Sequence, residues 1–593
     1  MGNVMEKPNK LVGKEYAFDA FDNGKVLLNK KKNRLPAMGW NSWNAFGSGN
    51  TAALTRTMAD KFVELGLDKL GYEYLVLDDG CYKQERVDGK LSNEEVKFPE
   101  GFRALADYIH AKGLKFGMYN DIGTNLCAGA AVGTCGHEDV DAQSYIDWGV
   151  DFLKVDNCYY LWDNATFSAW TNAKYVYTPN IKSVRVSGNY FEKNYSAVAD
   201  GTLTGLGCRK EADYVTNIGT FDGTNVGTTP IGPRSGELEF AVEAPEAGEY
   251  QVYVTYATGE EPGTGSWLQL AVGEELYYDD FFAATDNKET FVESQAITVI
   301  LAAGVNRLRV MNHRRQENTL NSYAALLAGL NKANPNHDVV LSLCEWGKTQ
   351  PQNWGYKVAD SWRILNDITF CVGGDGNPGR GTWFDGGTAS VTSQYDKAVV
   401  MDEFAGLDKG WNDPDMMMIG MDGLDETMCK THMAMWCMMN SPLMLGLDLR
   451  RVTKGDRMYN IIANKELIAL NQDALGIQAK RVFTTIETDV PDTDYITNHN
   501  RCDILAKPLA DGDVALCFIN VNDQPWEQEL TISVEQIVKM LGHKMVNAEQ
   551  FAGAKAFAVT DLWSGETTQN TTGSFTVDKL SGCENVTLRV KAL

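Results

Sequence analysis

The stretch EDVDAQSYIDWGVDFLKVDN, residues 138–157, contains one helix, its stop and one strand. Apolar residues recur at helical spacing from Glu138 until Gly149 closes the segment, and a short apolar run from Val150 then ends in Asp156 and Asn157. The same unit repeats on both sides. Upstream, runs at AMGWNSW (from Ala37), YEYLVLDD (from Tyr72) and LKFGMYND (from Leu114) alternate with helical segments over 51–71 and 101–113. Downstream, after a break, come VVLSLCEW from Val339, SWRILNDI from Ser361, WNDPDMMMIG from Trp411 and NSPLMLGLDL from Asn440. Strands that alternate with helices imply a parallel sheet covered by helices. Four strands precede the break and four follow it. They lie in 134 residues from Ala37 to Trp170 and 158 from Asn321 to Gln478, close to the roughly 250 typical of a (β/α)8 TIM barrel.

The break, from Tyr175 to about Glu317, is rich in Gly, Thr, Val and Tyr and carries alternating runs such as GEYQVYVTYATG and ITVILAAGVNRLRVMN. It reads as an all-β insertion, after which NSYAALLAGLNKAN (321–334) reads as a helix. Beyond Gln478 the helical rhythm stops, and DILAKPL, DVALCFINV and ENVTLRV suggest an antiparallel β-sandwich. The expected organisation is an N-terminal extension over 1–33, a barrel from 34–174 and 318–478, an inserted β-domain over 175–317, and a C-terminal sandwich over 479–593.

Composition narrows the partners. Of 593 residues, 54 are Lys or Arg and 79 Asp or Glu, a formal net charge of -25, which disfavours nucleic acid and anionic membranes. The 14 Trp, 24 Tyr and 23 Phe suit a polyhydroxyl ligand, whose apolar faces stack on rings while carboxylates accept its hydroxyl protons. The first eighteen residues lack the apolar run of a signal peptide, so the chain reads as cytoplasmic, or as secreted with its signal removed. The apolar stretch 433–447 is broken by Asn440, Ser441 and Pro442 and is too short to span a bilayer. Twelve cysteines are too sparse for a disulfide scaffold, and neither CxxC spacing nor a zinc-protease His pair is present. GGDGNPGRG from Gly373 lacks the GKS/T ending of a phosphate loop, and the Met-rich helix over 427–439 reads as core.

Active sites of such barrels form at the C-terminal ends of the strands. Here those ends carry Asp78, Asp79, Asp121, Asp156, Glu345, Asp367, Asp413 and Asp415, with Trp40, Trp43, Tyr119, Trp346, Trp362 and Trp411 at or near them. A helix N-cap is the structural alternative for any one acid. In FLKVDNC, residues two apart share a face, so Lys154 is expected to hold Asp156 ionised; in SWRILNDI, Arg363, Leu365 and Asp367 share one. Two such carboxylates can cleave a glycosidic bond as nucleophile and acid, although acids at strand ends could also bind Mg²⁺.

MGWNSWN at Met38, LDD at Leu77, KVDNC at Lys154, SLCEWG at Ser342, SWR at Ser361 and WNDPDM at Trp411 occur in an order that resembles glycoside hydrolase family 27. That family consists mainly of α-galactosidases and α-N-acetylgalactosaminidases, and KPLADGDVALCFIN resembles its C-terminal sandwich. The resemblance implies Asp156 as nucleophile and Asp367 as acid and then base, with retention of configuration. It implies a galactose pocket of Trp43, Asp78, Asp79, Tyr119, Lys154, Cys158, Glu345, Trp346, Arg363 and Asp415, and neither metal nor organic cofactor. The implied substrate is a terminal α-galactoside. Glu345 favours a 2-hydroxyl over an acetamido group, and α-N-acetylgalactosaminides and β-L-arabinopyranosides are the alternatives within the family. Outside it stand a glycan-binding protein without catalysis and a metal-dependent barrel lyase or isomerase.

Two departures bear on the setting. Gly80 follows LDD and 48–51 contain no Cys, so a bridge common in secreted relatives cannot form, and Cys344 lacks its family partner before Trp362. Cys127 and Cys158 match another family pair and are implied to bond. AGEYQVYVTYATG and LAAGVNRLRV resemble carbohydrate-binding modules of families 6 and 35, implying a jelly-roll near the barrel mouth. No oligomeric state follows from the sequence; a homodimer is one option.

Overall fold

The structure, a computed structural model, describes residues 34–123, 125–158, 178–188, 190–204, 208–216, 218, 237–258, 267–273, 275–311, 314–347, 351–368, 380–384, 389–486 and 496–593. The 1–33 extension, the expected 174/175 boundary and residues 373–379 of the glycine-rich loop lie outside them.

Eight parallel strands form the central sheet: β1 (Met38–Asn41), β2 (Tyr74–Val76), β3 (Lys115–Asp121), β4 (Phe152–Asp156), β5 (Val340–Cys344), β6 (Ser361–Arg363), β7 (Trp411–Asp413) and β8 (Leu443–Leu445). From β1 to β7 each strand pairs with the next in sequence, and β8 pairs back onto β1. Met417, just past β7, closes the ring: its N–H donates to Met444 O at 2.7 Å and its carbonyl accepts from Gly446 N at 3.1 Å. The sheet is therefore a TIM barrel, as expected.

The helices outside it follow local chemistry. α1 (Ala52–Leu65) starts at Thr51, whose side chain accepts from Leu54 N, and stops at Gly66 with φ 74°. α2 (Gly101–His110) and α3 (Glu138–Trp148) cover the next two strands, and Gly149 at φ 77° ends α3 as the sequence suggests. α4 (Arg314–Ala333) begins seven residues before the expected Asn321, so the anticipated 317/318 division falls inside a helix. It packs closely on α3, because a Cβ at Gly329 would lie 2.8 Å from Glu138 O. Between β5 and β6 the described residues form only two short 3-10 turns, Pro351–Asn353 and Gly355–Lys357. The rest of the shell is α5 (Val391–Ala398), α6 (Glu426–Met438), α7 (Arg457–Ile462) and α8 (Lys465–Asn471).

Between β4 and α4 lie two antiparallel sheets, of five and seven strands, around their own core of Val184, Val252, Val254, Leu270, Val299 and Leu308. After α8 comes a six-stranded antiparallel sheet and a two-stranded one. This C-terminal unit also contains α9 (Val534–Leu541), where the sequence reading expected strands alone. Its signature is legible in retrospect: Ser533 and Gln536 form a capping box before IVKML.

A buried ionic cluster joins barrel and C-terminal sheet. Arg501, fully buried, reaches Asp396 on α5 with one nitrogen and Asp503 Oδ2 with another at 3.0 Å. Tyr395 OH donates to Asp503 Oδ2 at 3.0 Å, and His499 Nε2 lies 2.8 Å from Asp396 Oδ2. On the other side of α5, Gln394 donates to Asn366 O at 2.5 Å, so the helix links the C-terminal sheet to the loop bearing Asp367. Arg501→Met leaves Asp396 and Asp503 buried without their cation, and should cost about 3–5 kcal/mol of stability. Urea unfolding of the two proteins checks this; a loss below about 1 kcal/mol, as for a surface pair, would contradict it.

Candidate active site

Parity along the strands sorts the barrel interior. Tyr74, Val76, Phe152, Val340, Met416 and Met444 pack together as the apolar plug inside the ring, whereas Leu153, Val155, Leu341 and Leu343 join the core between strands and helices. Two residues beyond Phe152 and Val340 the inward positions become polar: Lys154 and Asp156 on β4, Ser342 and Cys344 on β5. The ladders pair Asp121 with Asp156 and Asp156 with Cys344, and Arg363 with Asp413 on the next two strands. Arg363 Nη1 donates to Cys344 Sγ at 3.4 Å, which joins the two sets into one layer above the plug.

Asp156 is the centre of that layer. Tyr119 OH donates to its Oδ2 at 2.9 Å, and the Cys127 sulfur lies 3.2 Å from the same oxygen. Among the described residues no donor reaches Oδ1. Burial pushes the carboxyl up to about 7; Lys154 opposes this, and Asp78 and Asp367 reinforce it. Asp367 thus lies near enough for its charge to act on Asp156. The expected Lys154–Asp156 pair is present but loose, and it does not hold the carboxyl ionised against burial. Lys154 Nζ lies 2.8 Å from Asp78 Oδ2 and 4.0 Å from Asp156 Oδ1, so its close partner is Asp78, and desolvation outweighs its effect on Asp156.

Around the ring, Arg363 is buried and donates to Asp415 Oδ2 at 2.8 Å and to Asp367 Oδ1 at 3.1 Å. Asp367 is the open member of the set, its side chain 30 % exposed. Trp346 Nε1 donates to the same Asp367 oxygen at 3.2 Å. Asp415 also accepts from Ile368 N at 2.8 Å, which anchors the residue after Asp367. Both anchors have strained backbones, Trp346 at φ 57° and Asp415 at φ 76°, a region costly for any residue with a side chain. Gly347 continues the turn at φ 78°, and a Cβ there would lie 2.1 Å from Ile364 O. Glu345 is fully buried, and its charge acts on Lys397 of α5, whose amine burial pulls down to about 8.

Asp78 and Asp79 follow β2. Asp78 Oδ2 also accepts from Asn41 at 2.8 Å, while Asp79 takes the backbone N–H groups of Gly80 at 2.6 Å and Ala128 at 2.7 Å. Burial raises Asp79 to about 6. Trp43 opens a short helix directly after β1 and packs partly buried on the apolar plug. Cys127 and Cys158 form a disulfide, with Cα atoms 5.2 Å apart, and Cys158 N donates to Asp121 Oδ2 at 2.7 Å. The sulfurs of this bridge and the Asp121 carboxylate lie within 4.8 Å of one another, but sulfurs bonded to each other are not the thiolates a metal takes.

Three of the tryptophans expected to stack on sugar do not reach the cavity. Trp40 and Trp362, one residue before inward Asn41 and Arg363, face the outer core and donate to Leu447 O and Asn412 Oδ1. Trp411 lies at the opposite end of the barrel, where it lines a cavity of about 240 Å³ with Arg34, Tyr74 and Lys115. Conversely, the sequence reading gave no role to Asn41, Cys344 or Lys397. Asn41 stands inside the quoted MGWNSWN, and strand parity alone puts Cys344 on the inward face.

Among the described residues no helix is long and apolar enough to cross a membrane. The family model for α-galactosidase A matches residues 35–189 and 383–473, and that for the α-galactosidase C-terminal β-sandwich domain matches 499–582. Together they cover more than half of the chain. The α-galactosidase A of Cellvibrio japonicus is 26% identical over 90% of this chain and 87% of its own length. The α-galactosidase of Oryza sativa subsp. japonica is 25% identical over 92% and 81%. The crystal structure of α-galactosidase I from Mortierella vinacea shares the fold, with a TM-score of 0.58 at 22% identity, covering 95% of this chain and 98% of that one. With the barrel, the C-terminal sheet and these matches in agreement, the chain belongs to the α-galactosidase (melibiase) family, glycoside hydrolase family 27.

Proposed function

We propose that the protein hydrolyses terminal α-D-galactosyl residues with retention of configuration. The observation that carries this reading is the asymmetry of Asp156: one oxygen is fixed by Tyr119, and the other is buried, undonated and free to attack. Asp156 Oδ1 displaces the leaving group at the anomeric carbon and forms a glycosyl ester. Asp367, more open and held at its Oδ1 by Arg363 and Trp346, protonates the departing oxygen and then takes the proton of the incoming water.

The rest of the cavity supplies binding. Asp78 and Asp79, held by Lys154 and backbone donors, offer short acceptors for sugar hydroxyls. The family resemblance puts Glu345 beside C2 of the sugar, where a carboxylate favours a 2-hydroxyl over an acetamido group. The inserted sheets have a two-layer antiparallel architecture, and no carbohydrate-binding role is assigned to them here.

Three outcomes are expected. First, aryl α-D-galactoside should be turned over faster than the α-N-acetylgalactosaminide or the β-L-arabinopyranoside, and Asp156→Asn should reduce its kcat on the order of 10⁴-fold or more; unchanged turnover in that variant would overturn the nucleophile assignment. Second, Asp367→Asn should slow substrates with poor leaving groups by about 10²–10⁴-fold and activated aryl glycosides far less; equal losses across leaving groups would count against the acid role. Third, because attack requires ionised Asp156, kcat/KM should fall as pH drops through an apparent pKa well above 3.8, near the 7 to which burial raises the free carboxyl. A profile flat down to the ordinary carboxylate range would contradict this environment for Asp156.

A further inference from the structure

Cys344 has no part in the reaction outlined above, yet it occupies the ladder position opposite Asp156. It is buried, and its side chain points inward, because Leu343 before it belongs to the outer core. Arg363 Nη1 donates to its sulfur at 3.4 Å, so the guanidinium occupies a sulfur lone pair and leaves the thiol hydrogen for another acceptor. Across the ladder stands Asp156, with Oδ1 buried and undonated and Lys154 Nζ 4.0 Å away.

We infer that Cys344 is a positioning residue for Asp156: oriented by Arg363, its S–H stands opposite the undonated Oδ1 and closes on it when the carboxylate is ionised, coupling it to the guanidinium that holds Asp367 and Asp415. This rests on the assignment of Asp156 as nucleophile. The contact favours the ionised carboxylate, and the direction agrees, since Cys344 acts to lower Asp156. Burial, and after it the charge of Asp156, raise the thiol well above its usual range, so Cys344 stays a protonated donor at neutral pH. The other groups that face Asp156 are Lys154 on its own strand, Asp78 after β2, Tyr119 and Asp121 on β3, Tyr323 on α4 and Asp367 after β6; all of them are retained when Cys344 is replaced.

Valine removes the donor while keeping the site apolar, at the cost of one extra methyl group, whereas serine keeps a donor. With para-nitrophenyl α-D-galactopyranoside, Cys344→Val should move the acid limb of kcat/KM to higher pH by about half a unit. KM on the plateau should change by less than about twofold, and Cys344→Ser should restore the limb. An unmoved limb in a Cys344→Val protein that melts like wild type, or equal shifts in both variants, would overturn the inference. Asp156→Asn separates the two readings: if that variant is inactive while the Cys344→Val limb stays put, only the role of the thiol fails; if it keeps full turnover, the nucleophile assignment fails first. Infrared spectroscopy of the wild type, with Cys344→Ser as the difference reference, gives a readout independent of how the valine variant folds. The S–H band should shift with the midpoint of the acid limb, and a band indifferent to pH there would contradict the contact.

Discussion

Arg363 is the constraint on which the mouth of this barrel depends. The strand ends gather Asp78, Asp79, Asp121, Asp156, Asp367, Asp413 and Asp415, and among the described residues Lys154 and Arg363 are the cations that stand with them. Burial raises Asp79, Asp121, Asp156 and Asp413, so each carboxylate is costly to keep charged. Arg363 offsets this on one side of the ring through Asp415 and Asp367, and Lys154 does so on the other through Asp78. Asp156 lies between the two, with Lys154 Nζ no nearer than 4.0 Å. Its Oδ1 is thereby left without a donor among the described residues, at the centre of the layer.

That division follows from the barrel itself. Side chains two apart on one strand share a layer, and parallel pairing sets neighbouring strands in register, so Asp121, Asp156 and Cys344 meet at one height without any loop arranging them. Loops add what the strands cannot. Trp346 and Asp415 reach Asp367 only by adopting left-handed backbone angles, and the strain is borne where the open carboxylate has to be fixed. Behind them α5 ties the same loop to the C-terminal sheet through Gln394, Asp396 and Arg501, so that sheet is part of the support of the site.

Much of this was legible in the sequence, because periodicity and punctuation are local. Gly149 ends its helix where the pattern ends, the segment over 51–71 divides at Gly66 into a helix and a short 3-10 turn, and all eight strands coincide with apolar runs that finish in polar residues. What failed did so for geometric reasons. Nearness in sequence suggested Lys154 for Asp156, but the lysine extends across the mouth to Asp78, a choice made by the curvature of the barrel. Trp40 and Trp362 were read by proximity to strand ends, although their odd spacing from Asn41 and Arg363 turns them outward. The Arg501 cluster joins residues about a hundred positions apart, which no local pattern encodes. Helix α9 was missed for a different reason: its capping box sits among strands, and the surrounding alternation masked it.

The most direct test of the account is to trap the intermediate. A fluorinated galactosyl donor that forms the glycosyl ester quickly and releases it slowly should leave one hexosyl group on the protein. After proteolysis, tandem mass spectrometry should place that group on the peptide containing Lys154–Cys158, at Asp156. An ester on Asp367, on Asp78 or on any other side chain would contradict the account, as would inversion of the anomeric centre in the released sugar.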